Sequence, residues 1–74
     1  MPNVAKLVEK MNNQPHGIRF EEASKVLCHY GYNEVRTKGS HRHFRHESGD
    51  LITVKYSNPL LRVYVNDILE RIGE

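Results

Sequence analysis

Hydrophobic period changes twice along this chain. Apolar residues recur at spacings of three and four up to Tyr30, alternate at two from Tyr32 to Tyr56, and return to helical spacing after Pro59. Side chains repeat every 3.6 residues around a helix and every two along a strand, so one pattern cannot serve both. Helices and strands must therefore be segregated along the chain, which predicts an α+β fold.

Val4, Leu7, Val8 and Met11 share one face of a short helix expected to start near Pro2 and to fade through Asn12, Asn13, Gln14 and Pro15. This helix reads as an appended element. Phe20, Ala23, Leu27 and Tyr30 mark a second helix, with Glu21 and Glu22 at its positive N-terminal end and Gly31 as its stop. Cys28, beside Val26 and Leu27, is expected to be a buried structural thiol. Three strands follow, with Val35, Phe44 and the alternating Ile52, Val54 and Tyr56 as core positions. Gly39-Ser40 and Glu47-Ser48-Gly49-Asp50 are short enough to make antiparallel hairpins. After a turn at Asn58-Pro59, Leu61, Val65, Ile68, Leu69 and Ile72 form the stripe of a last helix ending at Gly73. The expected architecture is a three-stranded antiparallel meander with two helices on one face, the other face open, and an extra N-terminal helix.

A chain of 74 residues has room for one small core. Residues 1–17 read as an N-terminal extension and 18–74 as the main unit of a single compact domain. One cysteine excludes an intramolecular disulfide and suits a reducing cytoplasm. No apolar run approaches the roughly 18 residues of a membrane span, and the N-terminus lacks signal-peptide order, so a cytoplasmic protein without membrane contact is expected.

The net charge of +2 says less than its distribution. Between Arg36 and His46, four cations (Arg36, Lys38, Arg42, Arg45) and three histidines (His41, His43, His46) fall within eleven residues that include no acid. Such a stretch attracts a polyanion, and imidazoles can exchange protons near neutrality. With Phe44 in the core, alternation sends His41, His43 and Arg45 to the open face and leaves Arg42 and His46 on the Phe44 side. Arg36 and Lys38, opposite in parity to a core-facing Val35, should join the open face. Gly39 can bend the hairpin and present Ser40 and His41 at its corner.

The segment TKGSHRHFRH (residues 37–46) resembles the Gly-Ser-His hairpin of HicA toxins, small ribonucleases of toxin–antitoxin systems. The resemblance runs from about Ile18 to Ile72, including the helix and Gly-aromatic step before the hairpin and the closing VYVNDILERI helix. It implies a double-stranded-RNA-binding-domain-like fold with an α-β-β-β-α core, metal-independent cleavage of mRNA without a cofactor, and inhibition by a cognate HicB-type antitoxin over the active site. The family's catalytic histidine maps onto His41. Two departures stand out: residues 1–17 extend the family core, and Lys55-Tyr56-Ser57-Asn58-Pro59 replaces a Pro/His-rich segment of many relatives.

Under that resemblance His41 is the catalytic acid or base, and Arg36, Lys38, Gly39, Ser40, Arg42, His43 and Arg45 are the candidate RNA contacts. The nucleophile is a ribose 2′-hydroxyl, a route open only to RNA, or an activated water. The bare pattern leaves two rivals. One is a non-enzymatic RNA-binding module, or an inactivated toxin, using the same basic hairpin. The other is a metal site on His41, His43 and His46, disfavoured because His46 has the parity of Phe44. His16 and His29 read as solvated residues, Tyr56 as a core residue and Tyr64 as one at the edge of the last helix's apolar stripe, rather than as base-stacking residues.

Overall fold

A computed structural model describes residues 3–73. It contains helices α1 (Val4–Asn13), α2 (Phe20–His29) and α3 (Arg62–Ile72), with strands β1 (Tyr32–Lys38), β2 (His41–His46) and β3 (Leu51–Lys55) between α2 and α3. The strands form one antiparallel sheet in the order β1-β2-β3. The expected α+β architecture and its double-stranded-RNA-binding-domain-like topology are borne out.

Local chemistry sets the helix ends. Asn3 caps α1 by accepting the Lys6 N–H at 2.9 Å; Pro2, expected at this entry, lies outside the described residues. At the start of α2, the Arg19 N–H donates to Glu22 at 3.0 Å and the Phe20 N–H to the Asn58 side chain at 3.2 Å. Two otherwise unpaired helix donors are thereby satisfied, one from a distant loop. Burial opposes the charge of Glu22, but the Arg19 N–H and the Lys10 ammonium outweigh it and hold the carboxyl below its ordinary value. Gly31 follows α2 with φ +92°, and a Cβ there would lie 3.0 Å from the His46 ring. The left-handed backbone favours glycine, and a Cβ there would also press on the His46 ring.

Phe44, Ile52, Val54, Val26, Leu27, Val65 and Ile68 are almost completely buried between the helices and one sheet face. The N-terminal helix is more than an appendage in packing terms. Leu7, Val8 and Met11 are 3%, 7% and 0% exposed and belong to the same core cluster. Burying each such side chain contributes about 1.5–3 kcal/mol. α1 packs mainly on α2 and α3, behind the sheet-covering layer, and Lys10 pairs with Glu22 across α1 and α2 at 2.9 Å.

Four core assignments are corrected. Val35 is 55% exposed because a bulge between Glu34 and Arg36 leaves it without a register partner, and Tyr32 fills the core at the start of β1. Cys28 is exposed, lying one helical step beyond the buried Leu27. Leu61 is 49% exposed as the residue preceding α3, while Leu60 is buried and donates its N–H to the Ile18 carbonyl at 2.6 Å. Tyr56 lies just past β3, 37% exposed at the core rim, with its ring 4.8 Å from that of Phe20.

A polar network closes the end of the sheet away from the Gly39-Ser40 turn. The Tyr32 hydroxyl donates to Asp50, and Arg71 donates to both Asp50 oxygens at 2.8 and 2.9 Å and to Asp67 at 3.0 Å. This ties β1, the β2–β3 turn and the last turn of α3 together. The Tyr32 hydroxyl and Arg71 hold the Asp50 carboxyl below its ordinary value. Burial and the same Asp50 contact raise Tyr32 above its own.

Candidate nucleic-acid interface

Residues paired directly across antiparallel strands share a sheet face. On the face opposite Phe44 the register builds three cross-strand rows: Lys38–His41–Lys55, Arg36–His43–Thr53 and Asn33–Arg45–Leu51. These rows hold four Lys or Arg residues and two histidines, and none of the nine residues is acidic. Among the described residues Arg36, Lys38, Arg45 and Lys55 have no ion-pair partner. Their charge is therefore directed outward, where an approaching anion meets it.

The bulge sets this arrangement. Without an extra residue near Val35, strict alternation from the buried Tyr32 would turn Arg36 and Lys38 toward the helices. With it, Arg36 pairs with His43 and Lys38 with His41. The sequence expectation for these two cations therefore agrees with their placement, although its premise of a core-facing Val35 does not.

Gly39 and Ser40 make a two-residue loop between β1 and β2, with Gly39 at φ +61°. Glycine at the first central position lets the turn follow the strand twist. The Ser40 carbonyl accepts the Tyr56 N–H at 2.6 Å, extending the sheet to this corner and fixing β3 beside His41. His41 is exposed there; His43 is half-buried, with Nδ1 2.9 Å from the Thr53 hydroxyl.

Arg42 stands apart from this group. It pairs with Val54 on the helix side of the sheet. Its guanidinium lies 5.6 Å from the Phe20 ring centre and 5.2 Å from that of Tyr56, and contacts Glu34 at 3.4 Å. The geometry is that of a cation resting over two neighbouring aromatic rings at the core rim. His46 also faces the helices, with its ring 5.0 Å from that of Tyr32 and Nδ1 accepting the Ser48 N–H at 3.0 Å. His41 and His43 are thus separated from His46 by the sheet, and among the described residues no group of three or more His, Cys, Asp or Glu could hold a metal ion. No helix among them is long and apolar enough to cross a membrane.

Lys55 is the site residue that sequence reasoning does not single out. The signal is present, since Lys55 and Thr53 alternate with core-facing Ile52 and Val54, but only the register places Lys55 beside His41.

The family described as HicA toxin of bacterial toxin-antitoxin matches residues 20–74, from the first residue of α2 through the entire hairpin and α3. No curated protein and no solved structure matches the chain.

Proposed function

The chain belongs to the HicA toxin family of bacterial toxin–antitoxin systems, and from that premise we propose that it is a metal-independent mRNA endoribonuclease acting in the cytoplasm. His41 moves the proton, and the open sheet face holds the RNA. The observation that carries the reading is the row Lys38–His41–Lys55, an exposed imidazole bracketed by two cations that have no ion-pair partner among the described residues.

Cleavage without a metal requires three things of the protein: a group that accepts or gives a proton, positive charge for a phosphorane more anionic than the diester, and fixed positions for both. His41 supplies the first. Lys38 and Lys55 supply the second beside it, with Arg36 and Arg45 in the adjoining rows to grip neighbouring phosphates. The two-residue turn and the Ser40–Tyr56 hydrogen bond provide the third. As the ribose 2′-oxygen bonds to phosphorus it loses its proton, and the departing 5′-oxygen gains one. The products are a 2′,3′-cyclic phosphate and a free 5′-hydroxyl.

A HicB-type antitoxin covering this face with acidic groups would neutralise the cations and block His41 together. Its acidic groups would find four cations that have no competing ion pair among the described residues.

Cleavage of a defined single-stranded RNA in EDTA, by the wild-type chain and by His41→Ala after both are shown to be folded, tests the reading. Loss of cleavage in the variant alone is expected. Equal cleavage by both overturns the assignment of His41, and intact RNA with both overturns the nuclease.

A further inference from the structure

We infer that His43 is a second catalytic residue of this site, sharing proton transfer with His41, and that Thr53 positions its ring. The inference rests on the ribonuclease reading above. Attack by a 2′-hydroxyl moves two protons on different sides of phosphorus, one leaving the nucleophile and one reaching the leaving oxygen. Two groups placed about one phosphate apart do this without one imidazole having to visit both sides.

β2 places a second imidazole at that separation. His41 and His43 are two residues apart on one strand and share the open face, so their Cα atoms lie about 6.8 Å apart along it. Both imidazoles project from a paired strand held by neighbours on each side, so their relative placement is fixed by the sheet ladder rather than by a loop. Rigid elements hold reacting groups more accurately than loops do.

Thr53 adds orientation. Its hydroxyl lies 2.9 Å from His43 Nδ1, and among the described residues Nε2 has no hydrogen-bond partner. The ring is thus anchored through one nitrogen and free at the other, as second-partner hydrogen bonds commonly arrange for working imidazoles. The charged groups sharing its face are Arg36 across on β1, His41 and Arg45 on β2, and the diagonal Lys38 and Lys55; among the described residues, none of those paired in these rows is a carboxylate. The helices lie behind the sheet and contribute none. His46, the remaining histidine of β2, already has Nδ1 engaged by Ser48 on the other face.

One imidazole, neutral, takes the 2′-hydroxyl proton as the O2′–P bond forms. The other, protonated, gives its proton to O5′ as the P–O5′ bond breaks. The pair ends with its protonation states exchanged, and solvent restores them.

The test is the pH dependence of kcat and KM on a defined single-stranded RNA oligonucleotide in EDTA. It compares the full chain with His43→Ala, His43→Gln, Thr53→Val and Thr53→Ser. The expected wild-type profile is a bell. His43→Ala should lose one limb and lower kcat by about 10²-fold or more with KM unchanged. His43→Gln, which keeps a hydrogen-bonding partner for Thr53, should do the same, separating proton transfer from structure. Thr53→Val should lower kcat less and keep both limbs, and Thr53→Ser should restore it. Both limbs with near-wild-type kcat in the His43 variants, or a change confined to KM, overturns the inference while leaving the ribonuclease intact. Absence of cleavage by the wild type overturns the parent reading and this one with it.

Discussion

Two arginines of β2 illustrate the two faces of the sheet. Arg42 lies over the Phe20 and Tyr56 rings and touches Glu34, its Nε buried without a hydrogen-bond partner. Arg45, three residues on, stands exposed between Asn33 and Leu51 with no ion-pair partner among the described residues. The histidines divide the same way, His46 packed against Tyr32 and His41 exposed between two lysines. Identical residue types thus have opposite environments within one six-residue strand. Position relative to the pleat, rather than composition of the basic stretch, separates the groups available to a ligand from those that hold the fold together.

The sharpest way to break this contrast is to exchange function between the faces. His41→Ala should lower RNA cleavage by about 10²- to 10⁴-fold, whereas His46→Ala should cleave normally and lose only stability. Equal losses of cleavage in the two folded variants would show that facing does not decide activity. Next in size is the apolar side. Phe44 is fully buried, so Phe44→Ala should cost about 3–5 kcal/mol and Met11→Ala about 2–5 kcal/mol in urea unfolding. A negligible cost for Met11→Ala would return α1 to the status of an appendage.

Much of this organisation is legible in the amino-acid sequence. The changes of period mark every element, because a buried face imposes its repeat on whichever element carries it. The open-face histidines follow from the parity of Phe44. The features that stay hidden lack a repeat. The bulge at Val35 inserts one residue into a strand of ordinary composition, and nothing in Glu34-Val35-Arg36 announces it. Leu60 and Leu61 are adjacent leucines, and only the backbone path through the Ile18 contact decides which is buried. Arg42 belongs to the basic stretch by sequence, but its aromatic partners come from residues 20 and 56, far away in the chain. Lys55 has no motif at all; its proximity to His41 is a property of register.

A smaller effect refines the comparison between the arginines. Removing one cation from the phosphates of a single-stranded RNA reduces the slope of log K against log salt by about 0.7. In a His41→Ala background, where RNA is expected to stay intact, Arg45→Ala should lower the slope by about that amount and leave the melting temperature unchanged. Arg42→Ala should do the reverse, keeping the slope and losing stability with its aromatic and Glu34 partners. A reduced slope for Arg42→Ala would bring that residue back to the RNA.

The smallest expected effect concerns the far end of the helix-covered face, where Tyr32 and Asp50 share a hydrogen bond with opposite titration consequences. Tyr32 is raised above its ordinary value by burial and by Asp50. Its contribution to stability is therefore complete below about pH 10 and is lost as pH rises through the higher folded value. Asp50 is lowered by the Tyr32 hydroxyl and by Arg71, so its contribution is present above about pH 4 and is lost as pH falls through the lower folded value. Tyr32→Phe removes the phenol and one of the two groups stabilising the carboxylate. Urea unfolding across pH should then show the alkaline loss diminished and the acid loss reduced, with Arg71 still holding part of it. An unchanged alkaline limb would place that titration on another group and leave the Tyr32–Asp50 bond without weight in the fold.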